Sequence, residues 1–118
     1  MGFENNVPIY IQLVERIRFL IVSGSLRPGE RLLSVREWAL QEKVNPNTMH
    51  RALAELEASG LILTERTNGK YVTSDLELIR ECRKKEAAQI VQEFYGKMSH
   101  IGISPEEALL YLRDLKGE

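Results

Sequence analysis

Residues 34–60 of the chain have the sequence SVREWALQEKVNPNTMHRALAELEASG, and this stretch decides the fold. Ser34 followed by Glu37 forms a capping box, which predicts that a helix begins directly after Ser34. Asn45 followed by Pro46 places a capping residue before a proline at the first helical position, so another helix begins there. Two helices joined by so short a turn predict a helix-turn-helix.

The second helix of this pair has one apolar stripe and one polar face. Four apolar residues at helical spacing are predicted to be buried, namely Met49, Ala52, Leu53 and Leu56. Ala39 is small enough to let two crossing helices approach each other, and Val44 supplies an apolar side chain in the turn. Gly60 predicts the end of the helix, because glycine readily adopts the left-handed backbone found there. The polar side chains near the N-terminus of the second helix are placed as a helix-turn-helix presents side chains to a DNA groove.

The segment before Ser34 predicts one further helix. Apolar residues follow the helical period from Pro8 until Ser23-Gly24 stops it, namely Tyr10, Leu13, Val14, Ile17, Leu20 and Ile21. Residues 26–33 contain the turn signal Pro28-Gly29, and residues 31–33 after it either form a short strand or lead directly to the Ser34 cap.

The segment after Gly60 predicts a β-hairpin. Residues 61–66 and 70–73 are rich in strand-forming types and flank Thr67-Asn68-Gly69, and Asn-Gly between such runs is a strong hairpin signal. Three helices followed by a hairpin describe a winged helix.

From Leu76 the pattern predicts a long helix with a charged middle, broken by Gly102, and then a short amphipathic helix that begins at Ser104-Pro105. Two such helices cannot bury both apolar faces against each other alone. An identical chain is the simplest partner, which gives a two-fold dimer that matches a palindromic operator. The residues expected at the dimer interface are Ile90, Val91, Phe94, Tyr95, Met98, Leu109 and Leu112.

The predicted fold class is therefore α+β and mostly α. Residues 1–75 form an N-terminal winged helix-turn-helix of three helices plus a β-hairpin wing, and residues 76–118 form a two-helix C-terminal dimerisation tail. The predicted partners are double-stranded DNA and a second copy of the chain.

The charge of the chain does not by itself indicate a nucleic-acid partner. The net charge is −1, whereas DNA-binding proteins are often basic overall. Up to Asp75 there are nine basic and nine acidic residues, so any basic surface must be local. The basic residues in or beside the helix-turn-helix and hairpin are Arg36, Lys43, Arg51, Arg66 and Lys70.

Other classes of protein fit less well. The longest apolar run is far short of a membrane span and residues 1–8 lack a signal-peptide layout, so we expect a cytoplasmic protein without a membrane partner. Cys82 is the one cysteine, which excludes an intrachain disulfide and a cysteine-rich metal cluster. Since there is no glycine-rich phosphate loop and no metalloprotease motif, we expect neither an enzyme nor a cofactor or metal site.

Two non-catalytic alternatives remain open. A winged helix also serves as a protein-interaction module, and the slightly acidic charge is compatible with that role. A ligand-responsive regulator with a small-molecule site near the tail is the other, although no polar cluster in residues 76–118 marks such a site and the effector is unknown.

The residues resemble the GntR family of bacterial transcriptional regulators. The motifs that carry the resemblance are PIYIQL at 8–13, GSLRPGERL at 24–32, SVRE at 34–37, VNPNT at 44–48 and RALAELE at 51–57. The match covers residues 8–73 in order, and the short tail is similar to the YtrA-like branch, whose two-helix tail serves for dimerisation. The resemblance implies a repressor, often of a transporter operon.

The resemblance also implies which residues contact DNA. They are Ser34, Arg36, Asn45, Asn47, Thr48, His50, Arg51 and Gly69, to which the charge pattern adds Arg66 in the predicted wing. The residue types suit this role, because Ser, Asn and Thr near helix N-termini hold phosphates and Arg forks onto guanine or phosphate. Gly69 would let the wing backbone approach the duplex closely.

The chain departs from the family pattern at five positions. Leu33 replaces a usual proline, Trp38 a leucine, Lys43 the turn glycine, Leu53 a frequent tyrosine and Thr67 the first glycine of the wing. A left-handed Lys43 would be less stable than glycine by about 1 kcal/mol. The predicted fold tolerates all five changes.

Overall fold

The computed structural model describes residues 2–115 as five helices and one antiparallel hairpin. The elements are α1 (Ile9–Val22), α2 (Val35–Glu42), α3 (Pro46–Ala58), β1 (Ile62–Glu65), β2 (Gly69–Val72), α4 (Leu76–His100) and α5 (Pro105–Leu115). The chain divides into two compact units, a winged unit that ends at Cys82 and a tail unit that begins at Arg83. The boundary expected at 75/76 stays a prediction, and residues 1 and 116–118 at the ends of the predicted domains lie outside the described residues.

Both predicted starts of the helix-turn-helix are confirmed. The Ser34 hydroxyl accepts the backbone N–H of Glu37 at 3.1 Å, and the Glu37 carboxylate accepts the backbone N–H of Ser34 at 3.0 Å. At the start of α3 the Asn45 side-chain oxygen accepts the N–H of Asn47 at 2.7 Å, with Pro46 in the first helical turn. Each cap satisfies backbone donors that the helix itself leaves without partners, which fixes where α2 and α3 begin.

Lys43 closes α2 in the left-handed conformation, with φ 57° and ψ 48°. The turn is held by the Val44 N–H, which donates to the Ala39 carbonyl at 3.0 Å. Because a side chain with a Cβ is strained in this conformation, the turn stores free energy that glycine would release.

Lys43→Gly is expected to raise the free energy of unfolding by about 1 kcal/mol relative to Lys43→Ala, which keeps a Cβ in the same conformation. Urea unfolding of the two variants measures this difference, and comparison with alanine removes the effect of deleting the lysine charge. Equal stabilities for the glycine and alanine variants would show that the turn is unstrained.

The core of the winged unit lies between α1, α3 and the hairpin. The fully buried large side chains are Leu13, Ile17, Ile21, Met49, Leu53, Leu56, Leu61, Ile62 and Val72. All four predicted core residues of α3 are buried, and so are Trp38 and Ala39 of α2. Ile79, in the first turns of α4, is 4% exposed and belongs to this same core. Each such aliphatic side chain contributes about 1.5–3 kcal/mol through burial, so the core fixes how α3 and the wing are presented.

The wing is a short hairpin with a third segment paired along it. Residues 62–65 pair with residues 69–72, and the connecting loop is residues 66–68, one residue earlier than the predicted Thr67–Gly69. Gly69 pairs with Glu65 at φ 91°, a backbone that glycine adopts without strain, so it opens β2 rather than ending the loop. Residues 30–32 bond to β2, and the Leu32 N–H donates to the Lys70 carbonyl at 2.9 Å. Of the two alternatives for this segment, a short strand or a direct lead to the Ser34 cap, the structure therefore favours strand-like pairing.

The tail unit consists of the rest of α4 and α5. The break at Gly102 and the start at Pro105 are as predicted, and the Ser104 hydroxyl accepts the N–H of Glu107 at 3.2 Å. Within residues 83–115, Ala108 is the one buried side chain, so most of the apolar side chains in this unit remain uncovered.

Candidate nucleic-acid interface

A groove of about 800 Å³ in the winged unit runs between the start of α2 and the wing. Three predicted DNA contacts line it together: Ser34, Arg66 and Gly69. Arg31, which was not among the predicted contacts, and Glu37 line it as well. Residues far apart in sequence therefore meet in a cleft that carries both hydrogen-bonding and cationic groups.

The N-terminal half of α3 presents the second set of predicted residues. Asn45, Asn47, His50 and Arg51 are exposed and Thr48 is half-buried, whereas the apolar stripe of the same helix is buried. The capping role of Asn45 uses its side-chain oxygen, which leaves its amide nitrogen available as a donor. Arg36 is exposed at the second position of α2. These groups suit hydrogen bonds to phosphates and base edges.

Tyr10 holds the side chain of Arg51. The guanidinium carbon of Arg51 lies 3.8 Å from the centre of the Tyr10 ring, a close cation–π contact. Stacking leaves the guanidinium N–H groups free at the edge, so Tyr10 restricts the direction of Arg51 without occupying its donors. The sequence placed Tyr10 on the buried face of α1, where it is half-buried, and gave no signal that it meets a residue of α3.

Two of the ion pairs in the winged unit join different elements of it. Arg16 pairs with Glu42, and Lys70 pairs with Glu57 while its ammonium also donates to the Thr64 hydroxyl at 3.0 Å. Lys70 is half-buried in this arrangement, which removes it from the predicted basic surface.

Several cations of the winged unit remain available. Among residues 2–115, no ion pair engages the exposed cations Arg31, Arg36, Lys43 and Arg66. A net charge of −1 for the chain thus coexists with unpaired cations on the helix-turn-helix and the wing.

The carboxyl pKa values of two glutamates are shifted by these arrangements. The backbone and side-chain hydrogen bonds from Ser34, aided by the charge of Arg31, lower the pKa of Glu37. Partial burial by itself raises the pKa of Glu57, but hydrogen bonds from Lys70 and Thr64 and the charges of Lys70 and His50 outweigh it, so the net direction is downward. The Glu57–Lys70 contact therefore joins α3 to the wing most strongly when Glu57 is ionised.

The lowered pKa of Glu57 predicts a loss of stability in acid. Its contribution is complete above the ordinary value of 4.5 and is lost as the pH falls through the lowered folded-state value. In Glu57→Gln, the free energy of unfolding is expected to decline less steeply with acid than in the wild type, as measured by urea unfolding at about pH 7 and about pH 3.5. Lys70→Gln should likewise reduce the loss of unfolding free energy over this pH range. A Glu57→Gln variant that loses as much unfolding free energy in acid as the wild type would contradict the stabilising role of the Glu57–Lys70 pair.

Two other kinds of feature are absent from residues 2–115. No cluster of His, Cys, Asp and Glu side chains there has a metal-binding arrangement, and no helix there has the length and hydropathy needed to cross a bilayer.

Comparison with known proteins identifies relatives of the chain. The profile described as "Bacterial regulatory proteins, gntR family" matches residues 9–72. The uncharacterized HTH-type transcriptional regulator YhcF of Bacillus subtilis is 36% identical over 107 residues, which is 91% of this chain and 88% of YhcF. The HTH-type transcriptional repressor YtrA of the same organism is 39% identical over 72 residues, 61% of this chain and 55% of YtrA. These relatives are transcriptional regulators, in agreement with the prediction that the chain is not an enzyme.

Two solved structures extend the comparison. A GntR family transcriptional regulator from Listeria monocytogenes is 40% identical, covers 95% of this chain and 98% of its own, and superimposes with a TM-score of 0.86. The AraR DNA-binding domain in complex with operator ORR3 is 27% identical, covers 62% of this chain and 88% of its own, and has a TM-score of 0.55. The predicted winged helix is confirmed, and a related domain is seen bound to operator DNA.

Proposed function

We propose, from the premise that this chain belongs to the GntR family of bacterial regulatory proteins, that it is a homodimeric repressor that binds a palindromic operator. Membership of the family makes it a DNA-binding transcriptional regulator. The observation that carries the proposal is the exposed polar face in the N-terminal half of α3, which lies in the same winged unit as exposed cations that make no ion pair among residues 2–115.

The proposed DNA contacts assign one part of the duplex to α3 and another to the wing. The N-terminal half of α3 enters the major groove with Asn47, Thr48, His50 and Arg51, and the wing touches the neighbouring minor groove or backbone through Arg66 and Gly69. The caps at Ser34 and Asn45, with Arg36, bind phosphates or base edges beside it. The operator complex of the AraR domain supports DNA binding by the winged unit, because that domain shares its fold.

The tail unit supports the proposed dimer. Ile90 and Val91 of α4 are 57% and 48% exposed, and Leu109 and Leu112 of α5 are 48% and 42% exposed. Covering these exposed apolar side chains with a second molecule removes them from water and stabilises the assembly. The ring centroids of Phe94 and Tyr95 lie 5.4 Å apart, and both side chains are half-buried. We place these two aromatic side chains at the centre of the proposed interface.

A groove in the tail unit leaves room for a partner helix. It has a volume of about 730 Å³ and is lined by Ala87, Ala88, Val91, Gln92, Tyr95, Gly96, Ser99 and Pro105. A side chain placed at Gly96 would meet no atom within 4 Å. Small residues along a helix allow the close approach of another helix, and an identical chain offers the matching apolar face of α5.

The proposed mechanism of repression is steric. Two winged units joined by their tails occupy two half-sites, and the bound dimer blocks RNA polymerase at the promoter. The name of the repressor YtrA supports the direction of regulation. We further propose that the operator lies in the operon that contains the gene itself, and that this operon includes transport genes. The chain would bind the chromosome in the cytoplasm.

Titration of the purified chain into a duplex covering the region upstream of its own gene tests the proposal. With the duplex at a concentration above the dissociation constant, the fluorescence anisotropy should reach its plateau at two chains per duplex. A plateau at one chain per duplex would contradict the dimer, and no saturable binding would contradict the operator.

A further inference from the structure

We propose that Arg31 contacts the DNA phosphate backbone where the wing meets the start of α2, and that it joins these two elements into one docking surface. This inference rests on the proposed DNA-binding face and adds a residue that was not among the predicted DNA contacts. Arg31 lies in the segment before the helix-turn-helix, outside α3 and outside the hairpin loop.

The backbone of Arg31 is held firmly against the wing. Arg31 forms a bridge with Tyr71 of β2, flanked by the Leu32 N–H to Lys70 carbonyl bond and the Val72 N–H to Glu30 carbonyl bond, each 2.9 Å long. Its side chain therefore leaves from a fixed point, which reduces the entropy lost on ordering it against a ligand.

The guanidinium of Arg31 lies over the glycine of the wing. A Cβ placed on Gly69 would be 3.7 Å from Nη2 and 3.8 Å from Nε of Arg31, which is van der Waals distance. The absence of a side chain at Gly69 thus leaves this edge of the guanidinium uncovered. On the side of α2, Ser34 and Glu37 line the same groove as Arg31, so the cation lies between the two elements.

Each carboxylate that lines the groove with Arg31 accepts a hydrogen bond from another group. Glu30 accepts the Arg27 N–H at 2.8 Å, Glu37 accepts the Ser34 N–H at 3.0 Å, and Glu65 accepts the Asn68 side chain at 3.2 Å. Among residues 2–115, Arg31 itself makes no ion pair, although all three glutamates line the same groove. An exposed cation held without an ion pair has its donors available for an external anion.

A phosphodiester fits this position better than a base edge. Arg31 and Arg66 line the groove together with the hydroxyl of Ser34, so one phosphate can meet a guanidinium fork and a neutral donor. The groove belongs to the wing and α2 and not to α3, which reads the bases in this fold. Arg31 therefore contributes affinity that is independent of sequence and sensitive to salt.

The experiment compares full-length Arg31→Ala, Arg31→Lys and the matched control Arg27→Ala, an exposed arginine of the same segment that does not line the groove. Binding is measured at several salt concentrations on a random-sequence duplex and on a duplex from upstream of the gene. Arg31→Ala should weaken binding to both duplexes by a similar factor of about tenfold. The slope of the logarithm of its binding constant against the logarithm of the salt concentration should be shallower by about 0.9 per half-site. Arg31→Lys should restore the salt dependence, and Arg27→Ala should match the wild type.

The outcomes separate this inference from the proposed function. Unchanged binding in Arg31→Ala, while Arg36→Ala binds more weakly, overturns the role of Arg31 alone. A loss confined to the upstream duplex with an unchanged salt dependence also overturns it, because that result is the signature of a base contact. A wild-type chain that binds neither duplex overturns the proposed function and this inference with it.

Discussion

A full-length chain carrying Val91→Glu and Leu109→Glu is expected to sediment as a monomer and to bind its operator about 100-fold or more weakly than the wild type. Both side chains are 48% exposed, so the substitutions place charge on an existing surface instead of in a core. A carboxylate at a helix–helix interface would have to be desolvated without a partner, which opposes association. The loss of affinity follows because one winged unit no longer raises the effective concentration of the other.

Sedimentation velocity and anisotropy titration of the same preparation measure both effects. The matched control is Phe19→Glu, which places the same charge on an apolar residue of the winged unit that is 59% exposed. This control is expected to remain a dimer. A double variant that still sediments as a dimer would refute the role of the tail unit in pairing.

Truncation is a poorer test of the tail. A cut after Ser74 would remove Ile79, which is 4% exposed in the core of the winged unit, together with Leu78 and Cys82, which pack against that core. Losing a buried isoleucine costs about 2–5 kcal/mol, so a failure to bind would then reflect unfolding and not loss of pairing. Substitutions in the full chain avoid this ambiguity.

Arg36→Ala is expected to weaken operator binding by about 30-fold or more in the dimer, since each half-site loses about 1 kcal/mol or more. Arg36 is exposed and makes no ion pair among the described residues, so its removal should leave the free energy of unfolding unchanged. If Arg36 reads a base, the loss should be larger for the operator than for random-sequence DNA.

Anisotropy titrations with both duplexes and urea unfolding of the variant measure these effects. Arg27→Ala again provides an exposed arginine outside the groove as the control. Wild-type affinity in both Arg36→Ala and Arg51→Ala would contradict the proposed DNA-binding face.

Local sequence signals predicted the elements of the fold. The capping pairs Ser34–Glu37 and Asn45–Pro46 act over a few residues, so their chemistry is visible in the sequence itself. The hairpin was found for the same reason, although its loop lies one residue earlier because Gly69 belongs to β2. Periodicity likewise identified the buried stripe of α3.

The supporting contacts of the candidate site could not be predicted in this way. The stacking of Arg51 on Tyr10 and the pairing of Lys70 with Glu57 join residues from different elements, and their formation depends on how those elements pack. Arg31 is a further case, because its segment was ambiguous between a strand and a loop until its pairing with β2 was known. Composition showed that basic residues were present near the helix-turn-helix, but not which of them remain unpaired.

Electrophoretic mobility shift of the purified chain on the promoter of its own operon tests the central claim most directly. The assay is run at low and moderate salt with excess competitor DNA. Sequence-specific binding by this surface predicts a shift that survives competition and weakens steeply with salt, because phosphate contacts release counterions. No shift at any salt concentration would contradict the claim and favour a protein-interaction role for the winged unit.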